Sequence, residues 1–372
     1  MHTSKKIYIL IFTIFFVSSV LAHNEIPSGV NVHADSNGHK PIAVDSHAPI
    51  GAIADHTHKA GEWMLSYQFR HMVMEDNLID DDSVSPERIV TTIPNRFFGA
   101  PGQPPTLRVV PTEMTMDMHM FGGMYAPADW VTLMVMAMYM EKDMDHITFM
   151  GPAGTTRLGM FTTRSRGFGD TSVTGMFKIF DKGNHRLQLN AGLSLPTGSI
   201  TETDDVLTPM GMTTTLRLTY AMQLGSGTYD LLPGIVYTGY HEKWYWSAQY
   251  AGTLRTGTND ENYTLGDKHL LTGRTSYRWL NWLSTSFRVE AQHAGQIDGI
   301  DPNIMTPVQT ANPDNYGGKT VSIFFGMNLA GQNGALRGHR FALEVGFPVY
   351  QYLNGPQLGI DTVITTDWQY AF

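Results

Sequence analysis

Residues 244–255 read WYWSAQYAGTLR. Laid out as an extended chain, Trp244, Trp246, Ala248, Tyr250, Gly252 and Leu254 fall on one side. Tyr245, Ser247, Gln249, Ala251, Thr253 and Arg255 fall on the other. Alternation with period two is the pattern of a β-strand with one apolar and one polar face. It recurs in RLQLNAGLSL (186–195), LSTSFRVEAQ (283–292) and RFALEVGFPV (340–349). A soluble sandwich alternates in the same way, so the strands alone leave two folds open.

The order of the connections separates them. Strand candidates lie near 62–74, 112–124, 130–144, 168–180, 184–195, 228–239, 243–257, 264–278, 282–295, 318–329, 339–350 and 359–372. Long connections (75–111, 145–167, 196–227, 296–317) alternate with short ones such as YAPAD, DKG and GYHE. Short turns on one side and long loops on the other mark an outer-membrane barrel. The expectation is an all-β transmembrane antiparallel barrel of about twelve strands over 62–372.

The tryptophans are an independent check. Trp63, Trp130, Trp244, Trp246, Trp279, Trp282 and Trp368 all fall at short-turn strand ends, as an interfacial aromatic girdle requires. The chain ends ITTDWQYAF, with Trp368, Tyr370 and Phe372 on one face, the pattern of an outer-membrane assembly signal at Phe372. Pro233, inside DLLPGIVYTGY, predicts a bulge, because proline cannot donate to a ladder.

Composition agrees. Charged residues make up 16%, aromatics 11%, glycines number 37 and cysteine is absent. Lys5 and Lys6 followed by an apolar run over 7–17 read as a secretory signal peptide, 1–22. No later stretch reaches the roughly 18 apolar residues of a spanning helix. Residues 23–61 form a polar tract with His23, His33, His39, His47, His56 and His58, read as a disordered periplasmic lead-in or as metal capture. The net charge of −9 argues against a nucleic-acid partner. The expected setting is the outer membrane of a Gram-negative bacterium. The expected partners are membrane lipid, the assembly machinery and a small solute.

Several stretches resemble outer-membrane transporters grouped with the meta-pathway of phenol degradation. They are DHTHKAGEWMLSY (55–67), VVPTEMTMDMHMFGGMYAPADW (109–130), FTTRSRGFGDTSVTG (161–175), RLQLNAGLSLPTGSI (186–200) and PVYQYLNGPQL (348–358). The resemblance implies an exported β-barrel. It implies no catalytic residues and no particular cargo.

No hydrolase elbow, zinc-protease or P-loop motif is present, and no catalytic residue is assigned. His146, His185, His241, His269, His293 and His339 read as solvated or interface histidines. The expected lumen lining is Glu113, Asp117, His119, Lys178, Arg186, Arg255, Arg274, Arg278, Arg288, Glu290, Arg340 and Glu344. Both signs occur, which suits a polar channel for a small solute or an interior plugged by ion pairs.

Methionine is the unusual residue. Twelve of the 22 lie between Met114 and Met160, many at every second position. In EMTMDMHM (113–120) the charged partners Glu113 and Asp117 argue for an outward methionine row, since charge on the lipid face costs about 2–4 kcal/mol at midplane. In VTLMVMAMYM (131–140) the apolar Val131, Leu133 and Val135 take the lipid side and turn Met134, Met136 and Met138 inward. Thioethers suit Cu(I). A Cu(I) site of Met134, Met136 and His119, beside Asp117, is therefore expected, with flexible packing as the bland alternative. Function stands between a passive solute channel, a copper-binding or efflux-linked barrel, and a lipid-modifying barrel enzyme.

Overall fold

The structure is a computed structural model that describes residues 56–372. The signal peptide and the histidine tract up to residue 55 lie outside the described residues. Twelve strand runs make the wall. They are β1 (Trp63–Asp80), β2 (Val109–Ala128), β3 (Val131–Phe149), β4 (Arg157–Phe168), β5 (Thr171–Lys182) and β6 (His185–Leu195). There follow β7 (Tyr229–His241), β8 (Trp244–Thr256), β9 (Lys268–Leu280), β10 (Leu283–Ala294), β11 (Gly318–Ala330) and β12 (His339–Ala371).

Eleven of the runs join in one antiparallel ring in chain order, and β12 closes it by pairing with β1. The remaining run, β4, pairs with the upper half of β3, in line with β5. No helix among the described residues is long and apolar enough to cross a membrane.

Alternation decides which side each residue takes. Leu65, Phe121, Leu133, Val135, Phe325 and Phe347 stand exposed on the outside. Gln188, Asn190, Ser247, Arg288 and Glu344 are buried on the inside. A slip of one residue would send every inward charge into the apolar face, so the register is strongly specified.

Three local features depart from the sequence reading. The connection at 145–167 is mostly strand: β3 runs on to Phe149 and β4 returns from Arg157. The guanidinium of Arg108 braces the turn between them, donating to the carbonyls of Met150 (2.9 Å), Gly151 (2.9 Å) and Gly154 (2.8 Å). Pro233 makes no bulge. Its pairing with Ala191 keeps the β6–β7 register, and its ring packs over Gly252, where no side chain stands in the way. The connection expected at 351–358 belongs to β12 itself. Residues 340–353 of that run pair with β11 and residues 353–371 with β1. The run folds back near Gly355, whose φ of 82° suits only glycine without strain, and Ala371 N reaches Gly338 O at 3.3 Å.

Long loops close one end of the ring. Phe97, Tyr220, Tyr263, Ile297, Ile304 and Val308, drawn from four connections, share one apolar cluster there. Salt bridges tie the cap together, among them Arg217 to Asp301 at 3.0 Å and to Glu261 at 3.3 Å.

Candidate functional site

The interior has two unlike walls. On β7 to β12 it is polar and ionic. Arg288 and Glu344, 1% and 2% exposed, form a two-pronged pair with Nε–Oε1 at 3.1 Å and Nη2–Oε2 at 2.5 Å. The third nitrogen of Arg288 bonds Glu290, and its guanidinium lies 3.6 Å from the centre of the Phe324 ring. Arg255 pairs with the buried Asp230, whose second oxygen accepts from Thr228 Oγ1 at 2.7 Å. Charges in a low-dielectric interior persist only when paired and hydrogen-bonded in this way.

On β1, β2 and β3 the interior is methionine. Met64 pairs with Met124, and Met124 with Met134. Met120 pairs with Met138, Met118 with Met140, and Met74 with Met114, which pairs with Met144. Directly opposed residues of an antiparallel pair lie on one face, about 5 Å apart at Cβ. The thioethers therefore stack as rungs over the height of the wall.

A segment of the long connection 196–228 is folded in against this wall. Leu218 and Met222 pack on Met114 and Met144, and Leu224 packs on Met118 and Met140. Lys142, one of the two cations inside the wall, donates from Nζ to the carbonyls of Ala221 (2.9 Å) and Gln223 (2.6 Å). Ser165 Oγ donates to Met222 O at 2.6 Å. The base of the segment is held by Asp170, in the break between β4 and β5. Its carboxylate accepts from Gly198 N (3.0 Å), Ser226 N (2.8 Å) and Ser226 Oγ (2.7 Å).

Nine of the twelve residues expected to line the lumen have inward positions. Arg255, Arg274, Arg288, Glu290 and Glu344 lie well inside, while Lys178, Arg186, Arg278 and Arg340 lie toward the short-turn rim. There Arg186 Nε donates to Asp181 Oδ1 at 3.2 Å, and Lys178 forms an ion pair with the same carboxylate at 3.7 Å.

Glu113, Asp117 and His119 are corrections. They alternate with buried methionines and share the outward face with the exposed Phe121. Asp117 meets His71 at 2.5 Å, and His119 meets the Tyr67 hydroxyl at 2.8 Å, on the outside of the wall. The row Met114, Met116, Met118, Met120 points inward, not at lipid. The expected Cu(I) site of Met134, Met136 and His119 is therefore not assembled, because the wall separates His119 from both methionines. Three inward groups escaped the sequence reading, Arg70 on β1, Lys142 on β3 and the inserted segment 218–224. The last does carry a readable pattern, since Leu218, Tyr220, Met222 and Leu224 alternate.

The girdle tryptophans sit at the short-turn end of the ring, with Trp63, Trp130, Trp244, Trp279 and Trp282 exposed on its outside. Phe372 closes the seam there, exchanging backbone hydrogen bonds with Trp63 at 3.0 Å each.

No protein-family profile matches the chain, and no curated protein matches it in sequence. Solved structures do resemble it. An outer membrane channel from Pseudomonas putida F1 superposes with a TM-score of 0.55 at 14% identity, over 87% of this chain and 99% of that one. A FadL homologue of Pseudomonas aeruginosa gives 0.44 at 8% identity, over 83% and 90%. The toluene transporter TodX of Pseudomonas putida gives 0.40 at 10% identity, over 85% and 90%. What the chain shares with the first of these is the fold, a closed β-barrel of the outer-membrane type.

Proposed function

We propose that this chain is an outer-membrane channel of a Gram-negative bacterium through which a small solute permeates passively. The wall counts as twelve passes once β12 is taken as a hairpin, so both ends of the barrel lie on the short-turn side, facing the periplasm. The seven tryptophans form the girdle on that side, and Phe372 is the mark read by the assembly machinery. Membrane lipid and that machinery are the constant partners. Inward Arg, Glu and Asp side chains replace the hydration of a polar solute and lower its barrier. No reaction is assigned to the chain.

The observation that carries this reading is a closed ring with an apolar outside and an ion-paired inside. The cap and the inserted segment 218–224 are its gate, and Lys142 is the catch. Replacing Lys142 with Leu removes both Nζ contacts to the segment and should speed solute entry into proteoliposomes several-fold. Swelling assays with sugars of graded size measure this. A barrel that passes no solute, with or without the lysine, defeats the channel reading.

A further inference from the structure

The methionine wall draws almost all its apolar side chains from one residue type. On β1, β2 and β3 the inward positions from 64 to 74, 114 to 124 and 134 to 144 number eighteen, six per strand, and thirteen are methionine. The other five are Ser66, Gln68, Arg70, Gly122 and Lys142, with no Leu, Ile, Val, Phe or Ala among them. The outward positions of the same three windows carry Leu65, Phe69, Val73, Phe121, Val135 and Ala137, and no methionine. A wall needing only grease would draw on the residues used outside. What methionine adds is a soft, polarizable donor.

The wall is densest at the short-turn end. Met64, Met124, Met134 and Met176, from β1, β2, β3 and β5, form one buried cluster, with Met136 packed beside it. Met64, Met124 and Met134 are in direct register across three strands. Met176 pairs with Thr132, one inward step from Met134. The entering chain reaches the same point. His58 is buried, its backbone N–H donates to Thr132 Oγ1 at 2.9 Å, its ring Nδ1 lies 3.5 Å from Glu62 Oε2, and its ring lies edge-on to His56 at 5.0 Å. Among the described residues no three His, Asp or Glu side chains converge as a metal site, so a harder divalent ion finds no comparable set.

We propose that Met64, Met124, Met134 and Met176 bind a soft monovalent cation, Cu(I) or Ag(I), and that the rungs above them are its path along the barrel. The inference rests on the channel reading and names its cargo class. His56 and His58 deliver the ion to the cluster. The rungs Met120–Met138, Met118–Met140 and Met74–Met114–Met144 carry it toward Met222 in the inserted segment. Arg70 and Lys142 repel a cation and set the intervals between stops. Lys142 is drawn aside by the segment's carbonyls, and Arg70 has Glu290 and Glu344 as opposite charges near it.

The test uses the full-length refolded barrel and Ag(I), which does not change oxidation state. Silver retained after desalting is counted, and X-ray absorption at the silver edge identifies its neighbours. The wild-type protein should retain silver with a sulfur shell. Replacing Met124, Met134 and Met176 with Leu keeps volume and apolarity, and should weaken silver binding at least ten-fold and remove that shell. Replacing the exposed loop residues Met150, Met210 and Met212 with Leu should change neither. If the triple variant does not fold, the wild-type spectrum decides alone. Silver held by nitrogen only, or held equally by the triple variant, overturns the proposal. Sugar flux through the same vesicles needs no metal, so the channel reading is judged separately.

Discussion

The two walls of the interior obey opposite rules. The ionic wall, around Arg288, Glu290 and Glu344, is rigid because each charge depends on its partners. The methionine wall is permissive because each thioether is flexible and replaceable by a residue of like volume. Mutation should therefore expose the first and barely touch the second. Glu344→Leu leaves Arg288 with one carboxylate in place of two. Breaking a buried pair from one side costs about 3–5 kcal/mol. Met120→Leu or Met138→Leu, taken singly, should cost less than about 1.5 kcal/mol. Urea unfolding of the refolded barrels, followed by tryptophan fluorescence, measures both. Equal losses at the two walls would erase the distinction. Removing Arg288 and Glu344 together for apolar residues should recover part of the loss, because Glu290 then keeps Arg70 as an opposite charge near it.

The contrast also separates what the sequence could reveal from what it could not. The ionic wall was legible. Period-two alternation around Phe287, Val289, Leu343 and Val345 put Arg288 and Glu344 inside without further information. The methionine wall was half misread, and the reason is physical. Glu113 and Asp117 were kept from the lipid face by their charge, but depth matters as well as side. The apolar outward residues of β2, Phe121 and Tyr125, lie at its short-turn end, and Glu113 and Asp117 lie toward the loops. The tight turn at 129–130 pairs Ala128 with Val131 and, continued in that register, would oppose Met124 to Val135 and set the two rows on opposite faces. An irregularity between Tyr125 and Ala128 shifts the register by one, so that Met124 meets Met134, Met120 meets Met138 and both rows point the same way. The cap was not legible at all, since contacts such as Arg217–Asp301 join residues 84 apart through loops without periodicity.

The cap differs from both walls in how it responds to pH. Burial raises the hydroxyl pKa of Tyr263, Tyr316 and Tyr220 above the ordinary tyrosine value. Each is a neutral group whose ionisation is disfavoured in the folded loops. A raised folded pKa gives stability that is complete below the unfolded value of about 10 and is lost as pH rises through the folded one. The cap should therefore loosen at strongly alkaline pH while the barrel ring persists. Tyr316 joins two connections, since its hydroxyl donates to Thr310 O at 2.6 Å and accepts from Ala221 N at 3.1 Å. Tyr316→Phe should lower the pH at which the cap opens, because both contacts are gone at every pH. Amide exchange across 196–228 and 295–317, compared with exchange in β8 and β9, reads the difference. Simultaneous loss of cap and ring would show that the two are one cooperative unit.

The smallest effect belongs at the outer edge of the cap, where charge meets solvent. The short helix α1 (Pro86–Thr92) starts at Ser85, whose Oγ accepts from Arg88 N at 3.3 Å, and carries Glu87 in its first turn. Arg157, at the start of β4, donates to Glu87 Oε1 from Nε at 3.0 Å and from Nη2 at 2.5 Å. That bond, ahead of the helix backbone, holds the Glu87 carboxyl below the usual range. A depressed carboxylate gives stability above the unfolded pKa, about 4.3, that is lost as pH falls through the folded value. Both side chains are more than a third exposed, so solvent screens the pair and its worth is about 0–1 kcal/mol. Glu87→Gln should accordingly move the urea midpoint barely at all at neutral pH, and not at all in high salt. Its effect should vanish at acid pH, where the wild-type carboxyl is itself neutral. A loss as large as that of Glu344→Leu would mean that α1 is part of the barrel's core and not a trim on its cap.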